Sequence, residues 1–403
     1  MWCGILRGRA RAAHPSGAQS APVTLAVCHL STWAPTQCGI ASYAASLAGA
    51  LRGCRQSVVA FDYGSPQAAR AARPVPPVVA RVALRSPAAY REAARQLDAA
   101  PVDVVSLQHE FGIFGGPDGA HVLTLLRALR TPVVTTLHTV SQTMSPARRA
   151  IAGEIVARSA RVVVLTEDSA AACRALWPSY AGRVHVIPHG VPAVRFRWPA
   201  DVPLRRRLAG DAAWVFVSSG HLWRHKGHHH ALLALSLLAD DGVDFRWLLL
   251  GAGQAQFGGA DDYERSLATL AGKLGLADRI VRVPGFLSTP RLLEHFAAAD
   301  AGLVAYTRAS HNSSGVLPAM LACGRPVVAT RFEYATAVAP RWPELHLAEL
   351  ADPDDLHRQL RALVSDRRAL RAQMRRAHAR LQPLTWPHAA AAYRRLFQDA
   401  VAG

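Results

Sequence analysis

From Val23 onward the chain repeats one pattern: a short β-rich apolar run, then a longer Ala/Leu/Arg segment of helical period. Strands separated by helices cannot pair as tight hairpins. They must lie parallel, with the helices returning across the sheet faces, so the pattern confines the chain to α/β architecture built from βαβ units. Strands are expected at 23–29, 57–61, 103–107, 132–137, 161–165 and 184–187, with helices at 40–52, 87–98, 119–130, 145–157 and 168–176. The second of these helices opens on Ser86 as N-cap with Pro87 at its first position. The Pro-containing stretch VIPHGVPAVRFRWPADVP (186–203) then leads to a second series, with strands at 213–218, 245–250, 279–283, 301–305 and 326–329. Helices at 353–364, 366–380 and 386–401 close the chain.

At about 150 residues per domain, the length is that of two or three domains. The series divide it into Rossmann-like halves, 22–190 and 191–385, with helix 386–401 packing back onto the first. Residues 1–21 hold Arg7, Arg9 and Arg11, no acid and no secretory apolar core, and read as a disordered arm or a mis-called gene start. No run approaches the roughly 18 to 20 apolar residues of a membrane span. The 6 cysteines show no paired metal spacing and are sparse for a disulfide scaffold, which favours a reducing, cytoplasmic setting. The formal net charge of +18 suits polyanions, anionic lipid or phosphorylated substrates, and equally an Arg-rich genome. The first acidic residue is Asp62, so the opening face is basic enough for peripheral contact with the inner membrane surface. Lys226 and Lys273 alone escape replacement by Arg, and each raises the question of what a compact ammonium does that a guanidinium does not.

In open α/β sheets, ligands bind beyond the carboxyl ends of the strands. Loop 31–43, STWAPTQCGIASY, follows a strand and opens a helix, with Gly39 permitting close backbone approach; a plain turn would look the same. QHEFGIFGG (108–116) packs His109, Glu110, two aromatics and three glycines after the strand VDVVSL. Its two polar side chains are placed to bond sugar hydroxyls, or to hold the loop as a buried pair. His138 ends the next strand. In VFVSSGHLWRHKGHHH (215–230) a strand, a glycine turn at Gly220 and Lys226 precede a helix, which sets an ammonium beside free amides, an arrangement that holds a diphosphate. The glycine spacing and the Ser/Thr of a Walker A loop are absent. His221, His225, His228, His229 and His230 have no carboxylate or thiolate companion and successive helical positions face apart, so no metal is expected. Finally, AYTRASHNSSGVLPAMLACGRPVVAT (305–330) offers Ser313, Ser314 and Gly315 at another helix start, as an anion or sugar cradle or an ordinary cap.

Together these segments resemble glycosyltransferase family 4, whose members adopt the GT-B fold of two Rossmann-like domains facing across a cleft. The likeness covers about 22–401 and rests on PTQCGIASY, LHT around His138, VIPHGV, HKG at Lys226, LLLGAGQ (248–254), VPGFL (283–287) and ACGRPVVAT (322–330). The QHEFGIFGG and SSG loops look like those of a bacterial subgroup associated with mannoside or capsular glycan synthesis. The resemblance implies retaining transfer of a hexose, mannose being the one suggested, from a GDP- or UDP-sugar to a glycan or lipid-linked acceptor, with no tightly bound cofactor and no nucleic acid. The first half would take the acceptor and the second the donor. Lys226 would neutralise the leaving diphosphate and His138 would meet the donor sugar. Gly39 and Gly220 would lie along the phosphates, Gly251, Phe286 and Leu287 would line the base, and His311 stands with Ser313 and Ser314 in the remaining wall. Two glutamates typical of the family are replaced by His311 and Ala319, and a typical arginine by His221, with Arg224 or Arg308 as substitute cations. Two other readings compete: an epimerase or phosphorylase on the same fold, and a catalytically silent polyanion-binding scaffold.

Overall fold

The computed structural model describes residues 24–34, 36–62, 76–251, 253 and 262–403. The arm expected at 1–21, together with Val23, Ala252 and Gln254, lies outside them. The first series forms β1 (Ala26–Leu30), α1 (Gly39–Ala50), β2 (Arg55–Asp62), β3 (Val78–Ala83), α2 (Pro87–Ala99), β4 (Val104–His109), α3 (His121–Ala128), β5 (Val133–Leu137), α4 (Pro146–Arg158), β6 (Arg161–Val164), α5 (Glu167–Leu176) and β7 (Val184–Val186). Its strands pair in the order β3-β2-β1-β4-β5-β6-β7, all parallel.

The second series forms α6 (Pro203–Ala209), β8 (Trp214–Ser219), α7 (His228–Asp240), β9 (Phe245–Gly251), α8 (Asp262–Lys273), β10 (Ile280–Pro284), α9 (Thr289–Ala298), β11 (Ala301–Val304), α10 (Val316–Ala322), β12 (Val327–Thr330), α11 (Glu333–Val338), β13 (Leu345–Ala348), α12 (Pro353–Ser365), α13 (Arg367–Leu381) and α14 (Trp386–Ala402). Here the order is β10-β9-β8-β11-β12-β13, again parallel. Each order reverses direction once, between β1 and β4 and between β8 and β11. Those switch points open crevices at the carboxyl ends of the strands.

Period-two alternation buries both faces of each sheet. Cys28, Val105 and Val162 point to the face covered by α2, α3, α4 and α5, whereas Val27, Val104, Val134 and Val163 meet α1 and α14 on the other. The last helix therefore covers the first sheet: Trp386, Ala390, Tyr393 and Phe397 complete that core. The chain crosses between halves twice, and the crossings are tied to one another, Val191 N donating to Leu384 O and Trp386 N to Val191 O, both at 2.9 Å.

Several boundaries differ from the sequence expectation. Strand β4 runs through Gln108 and His109, because their backbones keep pairing with Thr136 and Leu137 of β5; the glycine-rich loop begins only at Glu110. The helix expected at 119–130 is shorter and follows a 3-10 turn at Pro117–Gly119, where Asp118 takes a positive φ. Strands β3 and β13 were not foreseen. Both lie at sheet edges and are short, so their strand identity comes from the neighbour they pair with more than from their own pattern.

Candidate active site

The loops after β1, β5, β8, β9, β10 and β11 converge on one cavity of about 330 Å³ between the halves. Of the residues singled out in the sequence, it brings together Gly39, His138, Gly220, Lys226, Gly251, Phe286, Leu287, His311, Ser313, Ser314 and Gly315. Lys226 is the one formal charge among the described lining residues, and no carboxylate stands beside it.

Lys226 closes the 3-10 turn Arg224–Lys226, and Gly227, at φ 68°, turns the chain into α7. Only glycine serves at that corner: a Cβ on Gly227 would lie 1.7 Å from Ala305 O. The ammonium sits 3.8 Å from the centroid of the Tyr306 ring and 3.3 Å from His311 Nε2. Burial, then the nearby lysine, holds the His311 imidazole down to about 3. It is therefore neutral, and its Nε2 lone pair accepts from Lys226, which fixes the cation without cancelling its charge. Across the cavity stands the N-terminus of α1, where the Cys38 thiol accepts from Ala41 N. A Cβ on Gly39 would meet nothing within 4 Å, so the helix end faces open space. A positive helix end and an ammonium on opposite walls make an anion site.

His138 is almost fully buried at the carboxyl end of β5, Nε2 lying 2.9 Å from Gln108 Oε1. Burial pushes it down to about 3, with the partial charges of His189 and His109 adding to the effect, so it is a neutral ring whose Nε2–H donates to Gln108. Tyr43 packs edge-on against His138, His189 and Trp386 at centroid distances of 4.8, 5.0 and 4.9 Å. Its hydroxyl bonds Tyr393 at 2.9 Å, which in turn bonds Thr136 at 2.7 Å. Helix α14 thereby braces the cavity's back wall. On the second half, Gly251 lies so close to Gly220 that a Cβ would fall 1.8 Å from Gly220 O, and the adjoining wall of Leu250, Phe286, Leu287, Leu292 and Leu293 is apolar. Ser313, Ser314 and Gly315 line the cavity, with Ser314 Oγ, one residue before the Gly315 N-cap of α10, also accepting from Leu317 N at 3.3 Å.

His109 and Glu110 lie elsewhere. His109 is fully enclosed between Phe111 and Phe114, with no partner among the described residues for either ring nitrogen, and burial drives it down to about 3. The extension of β4 turns it into the core, so it does not line the cavity. Glu110 lines a second, polar cavity of about 540 Å³ with Asp118, Thr139, Arg148 and Arg308, which adjoins the first through His311 and Ser313. Its carboxylate accepts from Thr139 Oγ1 at 2.6 Å and Phe111 N at 2.9 Å, and burial raises its pKa against those bonds. Of the substitute cations, Arg224 stacks over Tyr263 at 5.5 Å while Arg308 faces the second cavity. No group of three or more His, Cys, Asp or Glu converges as a metal site among the described residues, and no described helix is long and apolar enough to cross a membrane. The sequence reading missed Tyr43, His189, Tyr306 and Trp386 as wall residues. The first three lie inside segments already marked, whereas nothing local marks Trp386.

Two parallel-sheet halves facing across a cleft, each opening its switch point onto it, define a GT-B protein. Solved structures of similar shape agree: Anabaena HepE in complex with UDP superposes with a TM-score of 0.73 at 17% identity over 93% of this chain and 100% of that one. Sucrose-phosphate synthase from Thermosynechococcus elongatus gives 0.75 at 19% over 94% and 99%. Within that class, residues 38–195 match the model of Glycosyltransferase Family 4 and residues 213–366 that of Glycosyl transferases group 1, which together take in most of the chain. The protein belongs to glycosyltransferase family 4. Its curated relatives include D-inositol 3-phosphate glycosyltransferase of Geodermatophilus obscurus, 32% identical over 61% of this chain and 57% of that one. Another is 2-deoxystreptamine glucosyltransferase of Streptomyces kanamyceticus, 28% identical over 57% and 59%. The match thus spans little more than half the length of these relatives.

Proposed function

We propose that the protein is a retaining glycosyltransferase that moves a hexose from a nucleoside-diphosphate sugar to a hydroxyl-bearing acceptor. The observation that carries this reading is the Lys226 ammonium, alone among cavity walls that hold no described carboxylate and opposite the N-terminus of α1. As the bond between the sugar's anomeric carbon and the diphosphate breaks, negative charge grows on the leaving oxygen, and a fixed cation near it stabilises that charge more than the ground state. In this reading Lys226 and the amides at Gly39 and Gly220 hold the diphosphate. The base lies against Gly251, Phe286 and Leu287, and His138, His311 and Ser313 face the sugar. The first half is then the acceptor side and the second the donor side.

The donor is a UDP- or GDP-hexose, with UDP favoured by its presence in HepE and GDP-mannose suggested by the likeness of the loops. The acceptor occupies the second cavity, where Glu110, Thr139, Ser141 and Ser313 offer acceptors and donors for hydroxyls and Arg148 and Arg308 add positive charge. That lining suits a polyol or glycan, whether phosphorylated, as the names of the relatives offer, or lipid-linked at the inner membrane face. Incubation with UDP-glucose, UDP-N-acetylglucosamine and GDP-mannose tests the reading. Release of UDP or GDP, with the transferred or hydrolysed sugar keeping its anomeric configuration by NMR, is expected for one donor. Release from none of them, together with no binding of UDP or GDP, would refute it.

A further inference from the structure

At the edge of the second cavity, which Ser141 and Asn312 also line, side chains of the two halves bond one another. Asn312, buried in the loop after β11, carries two amide hydrogens. Its Nδ2 donates to Val140 O of the first half at 3.1 Å and to the Glu333 carboxylate. The other Glu333 oxygen accepts from Ser141 Oγ, also of the first half, at 3.1 Å. Ser141 is itself held, Thr143 N donating to its Oγ at 3.2 Å with the Thr143 hydroxyl 2.9 Å away. Glu333, the first residue of α11, is fixed by its backbone: its N donates to Ala309 O at 2.8 Å, and Tyr334 N to His311 O at 3.0 Å.

This network touches the reaction site on both sides. Val140 lies two residues after His138, and Asn312 stands between His311 and Ser313, so the bonds set the distance between opposing walls of the donor cavity. The Arg341 to Glu167 pair also bridges the halves, but at 4.0 Å and exposed it contributes little. Bonds to a carboxylate are stronger than neutral ones, and these form only while the loops after β5 and β11 are together.

We propose that Glu333, acting through Asn312 and Ser141, is the clasp that holds the cleft closed, and so a positioning residue for the transfer proposed above, on which this inference rests. Contacts made in the closed arrangement alone shift the population toward it. Losing them lets the halves part about the paired crossings at Val191 and Thr385, which moves His138 away from His311. Nucleotide binding, carried mainly by Lys226, Gly220 and the base wall of the second half, survives this opening with only the α1 helix end withdrawn. Sugar transfer does not, because a displacement of about 1 Å is enough to cost on the order of 100-fold in rate.

The test compares Glu333→Ala, Ser141→Ala and the double variant with the parent by small-angle X-ray scattering, by calorimetric titration with UDP and GDP, and by turnover of UDP-glucose and GDP-mannose. Glu333→Ala is expected to enlarge the radius of gyration and lower turnover by about ten- to 100-fold, with nucleotide affinity changed less than about threefold. Ser141→Ala should fall between, and the double variant should be no worse than Glu333→Ala, as members of one network behave. Should Glu333→Ala not fold, Glu333→Gln, which keeps the volume and one acceptor, carries the same expectations at smaller amplitude. Scattering identical to the parent, with unchanged turnover, overturns the clasp. Because scattering needs no substrate, a parent that binds neither nucleotide defeats the transferase reading while the scattering still decides the clasp.

Discussion

Replacing Lys226 by Ala removes the only formal charge that the described lining residues present to the interdomain cavity. In the empty protein the loss is modest, one contact to a neutral imidazole at 3.3 Å and one to the Tyr306 ring, the latter worth about 0.5–1 kcal/mol at a partly open site. With a diphosphate bound the loss is larger. A unit charge about 4 Å from the ammonium interacts by roughly 4 kcal/mol at the effective dielectric of a protein surface. The cavity opens to solvent, and a charge-assisted hydrogen bond nets about 1.5–3 kcal/mol; about 2–3 kcal/mol is therefore the expected effect. That corresponds to UDP or GDP binding weakened about 30- to 150-fold. At a nucleotide concentration 100 times the parent's Kd, the parent gains about 2.7 kcal/mol of stability, and the variant should gain only about 0.3–0.9 kcal/mol. Calorimetric titration gives the affinities directly, and thermal unfolding with and without nucleotide checks them in the same buffer. An affinity within threefold of the parent, in a variant whose nucleotide-free unfolding is normal, refutes the idea that this lysine meets the diphosphate.

Three further outcomes follow from the geometry. Gly227→Ala forces a left-handed residue and a Cβ onto Ala305 O; beyond roughly 1–2 kcal/mol of backbone strain, it should displace Lys226 and abolish nucleotide binding, whereas normal binding by a folded variant would show that the corner is not rigid. His109 has a folded pKa of about 3 against an ordinary value near 6.5, so above pH 6.5 both states are neutral and it adds no pH dependence. Below 6.5 the unfolded chain takes the proton first, and stability falls by up to about 1.4 kcal/mol per pH unit as the pH drops toward 3. His109→Phe should therefore flatten the loss of stability in urea between pH 8 and pH 5 by about 2 kcal/mol while sparing nucleotide binding; an unchanged pH difference would contradict the buried, neutral ring. Tyr393→Phe removes the hydroxyl linking Tyr43 to Thr136 and should cost about 1–3 kcal/mol in urea unfolding, since it strands buried partners, and no measurable loss would mean the back wall is not braced there.

Much of the architecture was legible in the chain itself. The alternation of apolar runs with helical segments dictates parallel sheets, because side-chain periodicity is a local property that any pairing must respect. Gly220 and the lysine in HKG marked a wall of the interdomain cavity for a related reason, since a glycine turn or a compact cation is a demand each residue makes by itself. His109 and Glu110 were adjacent in sequence and looked alike, yet the pairing of β4 with β5 sent one into the core and left the other in the second cavity.

The sequence by itself determined the fold class, the two halves and the loops that can carry chemistry, all of which follow from short-range pattern. Only the tertiary structure decided which of those loops meet. Tyr43, His138, His189 and Trp386 come together because α14 returns across the first sheet, and Ser141, Asn312 and Glu333 because the halves close on one another. Distance in space between residues far apart in the chain is set by packing summed over the whole molecule, and no window of sequence contains that sum.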